Sequence, residues 1–164
     1  MITVGINPNQ NTVTVGNPLA NPVPTLDTEN PARQPFQDKI GIFIPDGALF
    51  GQDSTAVPAG KRLVIEYVGM HAGVEPGQKV ILVRVQTAHA NPAGQDSVDH
   101  VFGATFQGHD SHDDKDIFVT SQATRLYADT TIPVQFYVNR DPGTGTAFAN
   151  ITISGYLVDV TTVP

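Results

Sequence analysis

Between Gly108 and Asp116 the chain reads GHDSHDDKD, two imidazoles and four carboxylates in one short run. His109, Asp110, His112, Asp113, Asp114 and Asp116 are candidate ligands for a divalent cation. The histidines at i,i+3 with aspartate would suit zinc or a harder metal, and the aspartate oxygens alone would suit calcium. The run lacks the D-x-D-x-D-G spacing and closing Glu of an EF-hand, and no H-E-x-x-H pattern is present. A solvated hairpin loop accounts for the same residues, because aspartate is a favoured turn residue. No cofactor other than such a cation is expected.

His71, His89 and His100 stand alone in the sequence. Each reads as a packed or exposed side chain; only convergence of three histidines around a symmetry axis would make a metal site or a pH sensor. In TRLYAD, Arg125 and Tyr127 share one face of a strand, either as a structural pair or as the lining of a shallow binding surface. Glu66 lies among apolar neighbours, so its burial would require a cation, with Arg84 or Arg125 as the candidates.

Catalytic signatures are missing: there is no G-x-S-x-G elbow, no phosphate-cradling loop and no Rossmann glycine pattern. The chain has no cysteine, and its serines are scattered. Sixteen carboxylates leave a glycosidase pair formally open. Most aspartates, however, fall in turn-rich segments, and without Trp there is no indole platform for a sugar. The expectation is that the protein is not an enzyme. Asn150-Ile151-Thr152 fits a glycosylation sequon but lies inside a strand pattern and is given no role.

The elements that position these residues are strands. The chain holds 19 Val, 17 Thr and 11 Ile against 7 Leu, a balance that favours β structure. Short alternating runs recur from Asp38 onward. KIGIFI puts Ile40, Ile42 and Ile44 on one face; RLVIEYVG puts Leu63, Ile65 and Tyr67 opposite Val64, Glu66 and Val68. KVILVRVQT is apolar on both faces, as in a strand covered on both sides or at a subunit contact. DHVFGATF, DIFVT, TRLYA and PVQFYVN follow, the last closing into the turn Arg140-Asp141-Pro142-Gly143. ANITISGYLVDV places Ile151, Ile153 and Leu157 on one face, with Gly155 marking a bulge or close approach. About eight strands predict an all-β, two-sheet antiparallel β-sandwich over residues 36–164, jelly-roll-like, with an up-and-down barrel as the alternative.

Residues 1–35 differ from the rest. They hold six of the 13 prolines, including the pairs Asn7-Pro8, Asn17-Pro18, Asn21-Pro22 and Asn30-Pro31, and Asp27, Glu29 and Arg33 are their only charges. Such pairs exclude helix, so this segment is expected to be an extended N-terminal arm with one short strand at Thr12 to Val15. An arm with so little apolar area does not order itself in isolation. It is expected to dock on a neighbouring copy, giving a homo-oligomer such as a trimer, or a larger assembly. The formal charge of -7 with scattered basic residues argues against nucleic acid. No apolar run reaches a membrane span, and MITVGINPNQ lacks the basic and apolar regions of a signal peptide.

The blocks NPARQPFQ (Asn30 to Gln37), VPAGKRLVIEYV (Val57 to Val68), TRLYAD (Thr124 to Asp129) and ITISGYLVDV (Ile151 to Val160) together resemble a group of small, functionally uncharacterised bacterial β-sandwich proteins. The resemblance implies an exported protein and carries no catalytic or binding residue. An extracellular or virion-associated location is the favoured expectation. The first functional expectation is a structural, non-catalytic protein that oligomerises and docks its arm on neighbouring subunits or a host assembly, as in virion decoration or an extracellular fibre. The alternative is a carbohydrate- or ligand-binding sandwich, calcium-dependent if the Asp-rich loop holds a cation.

Overall fold

The computed structural model describes residues 3–7, 12–16, 34–91, 94–130 and 132–160. By their contacts they fall into two units, Met1–Asn30 and Pro31–Pro164. In the first, β1 (Thr3–Asn7) pairs antiparallel with β2 (Thr12–Gly16), Thr3 opposite Gly16. A hairpin thus stands where alternation gave a single strand. The Asn-Pro pairs at 17–18, 21–22 and 30–31 lie outside the described residues.

The second unit is all-β. Its strands are β3 (Gln34–Ile44), β4 (Phe50–Thr55), β5 (Lys61–Val74), β6 (Lys79–Asn91), β7 (Gly94–Phe102), β8 (Thr105–Asp110), β9 (Lys115–Asp129), β10 (Val134–Asp141) and β11 (Ala147–Asp159). They form two antiparallel sheets, ordered β4-β10-β6-β7 and β3-β11-β5-β9-β8. The first strand starts at Gln34, opposite Leu157, two residues before the expected boundary.

Alternation builds the core. Ile40, Ile42 and Ile44 of β3, Ile151, Ile153 and Leu157 of β11, Val134, Phe136 and Val138 of β10, and Val83 and Val85 of β6 are all buried in one cluster. Each such side chain contributes about 1.5–3 kcal/mol by leaving water. The parity of β5 departs from the expected pattern. A register shift between Ile65 and Tyr67 inserts Glu66 as a bulge, so Leu63 and Ile65 point inward, Tyr67 turns outward, and Val68, Met70, Ala72 and Val74 continue the core. The same bulge presses the β5 backbone onto Gly155, where a Cβ would lie 1.9 Å from the Val64 carbonyl oxygen. Gly155 is thus a close approach that only glycine fits.

Strand boundaries also differ. DIFVT and TRLYA form one long strand, β9, while DHVFGATF divides into β7 and β8, which belong to different sheets. At that crossover the Thr120 hydroxyl donates to the Gly103 carbonyl at 2.7 Å. FGQDST is a strand that its polar composition hides; buried Gly51 leaves room there for Ile42 and Ile44. On β6, Val83 and Val85 are buried but Ile81 is exposed, so that strand is not covered on both sides by the described residues.

One end of the sandwich is closed by Arg140, which continues the inward parity of β10 and is only 2 % exposed. Its guanidinium donates to the carbonyls of Ala48 (3.0 Å), Pro45 (2.9 Å), Gly143 (3.1 Å), Thr144 (3.2 Å) and Gly145 (2.6 Å), and to Gln78 Oε1 (3.2 Å). One side chain thereby ties the turn after β3 to the turn before β11. Beside it, Glu75 accepts from Lys115 Nζ at 2.6 Å and from the Thr146 amide at 3.1 Å.

Candidate functional site

The opposite end of β6 carries a cavity of about 240 Å³ between the two sheets. It forms where the inward row of β6, apolar at Val83 and Val85, turns polar at Thr87 and His89. The partner strand does the same: Phe102 is buried, and the next inward positions are His100 and Val98. Antiparallel pairing sets Thr87 beside Val98 and Val85 beside His100. The five-stranded sheet supplies Arg62 from β5 and Arg125, Leu126 and Tyr127 from the end of β9.

The polar groups differ in how firmly they are held. Thr87 Oγ1 and His100 Nε2 share a hydrogen bond of 3.0 Å. Burial pushes the His100 imidazole below the usual histidine range, with the Asp99 carboxylate pulling weakly the other way. Arg62 forms a two-pronged pair with buried Asp129, Nε to Oδ1 at 2.6 Å and Nη2 to Oδ2 at 3.0 Å. That hydrogen bond holds the guanidinium above its ordinary value. Arg125 is looser. Its Nη2 stands 3.7 Å from Glu66 Oε1, with side chains 63 % and 43 % exposed, a geometry worth about 0–1 kcal/mol. Glu66 therefore does take Arg125 as its cation, but at the surface, whereas Arg84 pairs with Asp99 on the other sheet at 3.0 Å.

The structure brings His89 and His100, which stand alone in the sequence, to the pair Arg125 and Tyr127. His71 does not join them; it lies on the outer face of β5, its ring 5.6 Å from that of Phe148. Arg62, Thr87, Val98 and Leu126 belong to no site motif in the sequence. The signal that points to Thr87 and His89 is the parity they share with Val83 and Val85.

The Asp-rich run forms the hairpin between β8 and β9. His109 Nδ1 meets Asp116 Oδ1 at 3.2 Å, and its Nε2 lies 3.5 Å from Asp114 Oδ1. Asp110 Oδ1 accepts from the His112 amide at 2.9 Å, and Asp116 Oδ2 accepts from the Gly77 amide at 2.7 Å. His112 faces solvent with Asp113 at 3.8 Å. Asp114 has φ 51°, a left-handed turn position that Asp tolerates. Among the described residues no three His, Asp or Glu side chains meet in a group that could hold a metal ion.

The outer face of the five-stranded sheet forms a third feature. Phe43 is 67 % exposed. Phe148 lies across Gly73, and Tyr67 lies over Gly69 with its hydroxyl 3.0 Å from Ser121 Oγ. Among the described residues no helix is long and apolar enough to cross a membrane. In comparisons with known proteins, the chain matches no protein-family model and no curated protein.

Proposed function

We propose that this protein is a non-catalytic binding module, a jelly roll with one small-ligand site between its sheets near Thr87. The jelly-roll reading is supported by the order β4-β10-β6-β7 opposite β3-β11-β5-β9. A chain with this order steps between sheets as two nested Greek keys do. The observation that carries the binding reading is the row of core-facing positions that turns polar at Thr87, His89 and His100 around a cavity. Polar side chains at such positions cost stability relative to Val or Leu, and sites of that kind are kept for ligands. The reading is one of binding without turnover.

Ligand-observed NMR of the full chain against a panel of monosaccharides and small carboxylates tests this. The expected result is at least one ligand whose signal is lost on Val98→Trp, which fills the cavity. Hits that survive that substitution, or an empty panel, overturn the reading. Repeating the screen with calcium and with chelator separates a cation-dependent site at His109 to Asp116 from the cavity.

A second reading, assembly through the arm, is favoured by the exposed aromatic outer face around Phe43, Phe148 and Tyr67. Its occupant is the arm of a second copy. Light scattering of the full chain and of a chain lacking residues 1–30 tests it: loss of the oligomer on deletion supports the arm, and equal mass for both chains contradicts it.

A further inference from the structure

We infer that the ligand of this cavity is a sugar acid, with its carboxylate on Arg125, one ring face on Tyr127, Val98 and Leu126, and hydroxyls at His89 and His100. This rests on the binding reading above and gives it a chemical class.

The first argument is the donor inventory. Among the described residues, the polar lining side chains are two guanidiniums, two imidazoles and the hydroxyls of Thr87 and Tyr127, with no carboxylate. Guanidinium only donates, and the other groups can donate. The complement of such a wall is rich in acceptors.

The second is the division between the two arginines. Asp129 engages Nε and Nη2 of Arg62 and balances its charge. Arg125 has only the long 3.7 Å contact to Glu66. Its planar fork can turn to an incoming carboxylate at the small cost of an exposed pair. One uncommitted guanidinium matches a monoanion. A phosphate dianion calls for several free cations or a cradle of backbone N–H groups, and the lining provides neither.

The third is shape. Val98, Leu126 and Tyr127 supply apolar lining from separate positions, and such lining suits the C–H face of a pyranose. His100 is fixed in orientation by the bond between its Nε2 and Thr87, which leaves Nδ1 as the ring position that can meet a hydroxyl. A volume of about 240 Å³ falls below the roughly 300–1,000 Å³ of sites for drug-sized molecules, so the occupant is a single sugar unit.

The test is a 15N-correlation NMR titration of the full chain with the methyl glycosides of glucuronic acid and glucose, with glucose 6-phosphate and with benzoate. The glucuronide is expected to shift the amides of β6, β7 and the end of β9, and to bind at least tenfold more tightly than the glucoside. Arg125→Gln should remove that tenfold advantage, so that glucuronide and glucoside bind with similar affinity, and Arg125→Lys should restore part of it. Equal affinity for glucuronide and glucoside overturns the carboxylate and leaves the binding reading standing. Tighter binding of the sugar phosphate, or binding of benzoate without glucuronide, overturns the sugar acid in favour of that ligand. If none of the four binds, the sugar acid falls, and the broader panel above then decides the binding reading separately.

Discussion

At the Val80 end of β6 a single buried arginine is enclosed by acceptors, whereas at the Thr87 end two arginines and two histidines surround a cavity. Arg140 has five backbone carbonyls and a glutamine oxygen around its guanidinium. Three of those carbonyls have a second donor: the Ala48 amide on Pro45, the Gly47 amide on Gly143 and Gln78 Nε2 on Thr144. Removing the guanidinium would take from the Ala48 and Gly145 carbonyls and from Gln78 Oε1 the donor it supplies, so Arg140 is part of the fold. At the other end the polar side chains face space that Val, Leu or Phe could occupy, and Arg125 is barely held. Buried polarity alone therefore does not mark a site; what marks it is polarity whose partners are incomplete beside a cavity.

The largest effect should come at the closed end. Arg140→Met is expected to lower unfolding free energy by about 4 kcal/mol, since it leaves several buried acceptors unpaired; urea denaturation measures this. A loss below about 1 kcal/mol would erase the contrast between the ends. Gly155→Ala should follow at about 2–3 kcal/mol, because the added Cβ meets backbone and not a movable side chain. It controls for strain at a backbone contact that involves neither Arg140 nor the cavity lining.

The two ends should also respond to acid at different pH. His100 is held below the usual histidine value, chiefly by burial, so the unfolded chain takes up its proton first. The stability it contributes is complete above about pH 6.5 and is lost as pH falls through the folded value. Glu75 at the Arg140 end is held below the ordinary carboxylate range, chiefly by the hydrogen bond from Lys115. Its contribution is present above that range and is lost only in stronger acid. His100→Leu should therefore flatten the stability profile below about pH 6.5, and Glu75→Gln should flatten it below about pH 4.5. The smallest effect belongs to Arg125→Gln, expected within about 0.5 kcal/mol of the parent by denaturation.

Strand parity made much of this sandwich legible in the sequence. KIGIFI and ANITISGYLVDV expose their buried faces directly, and the lone Gly155 in an apolar strand announced a close approach. Alternation failed at Glu66, because a one-residue bulge reverses every face that follows and depends on the neighbouring strands. It also missed FGQDST, whose strand is fixed by pairing with β10 and by the inward fit of Gly51 rather than by apolar content. For the site, clustering along the chain was the wrong guide. GHDSHDDKD gathers six candidate ligands because hairpin turns favour Asp, whereas Arg62, His89, His100 and Arg125 are far apart in sequence and meet only through sheet pairing. Arg140 stands in a turn pattern in the sequence, although its parity with Val134, Phe136 and Val138 points it inward.

The central claim is that the polar side chains near Thr87 serve a ligand and not the fold. Denaturant unfolding of the double substitution Thr87→Val with His100→Leu tests it most directly, because both partners of one hydrogen bond are replaced by apolar groups of similar size. The account predicts a protein as stable as the parent, or more stable by about 1 kcal/mol. A loss of about 2 kcal/mol or more would show that these groups hold the sandwich together as Arg140 does, and would contradict it.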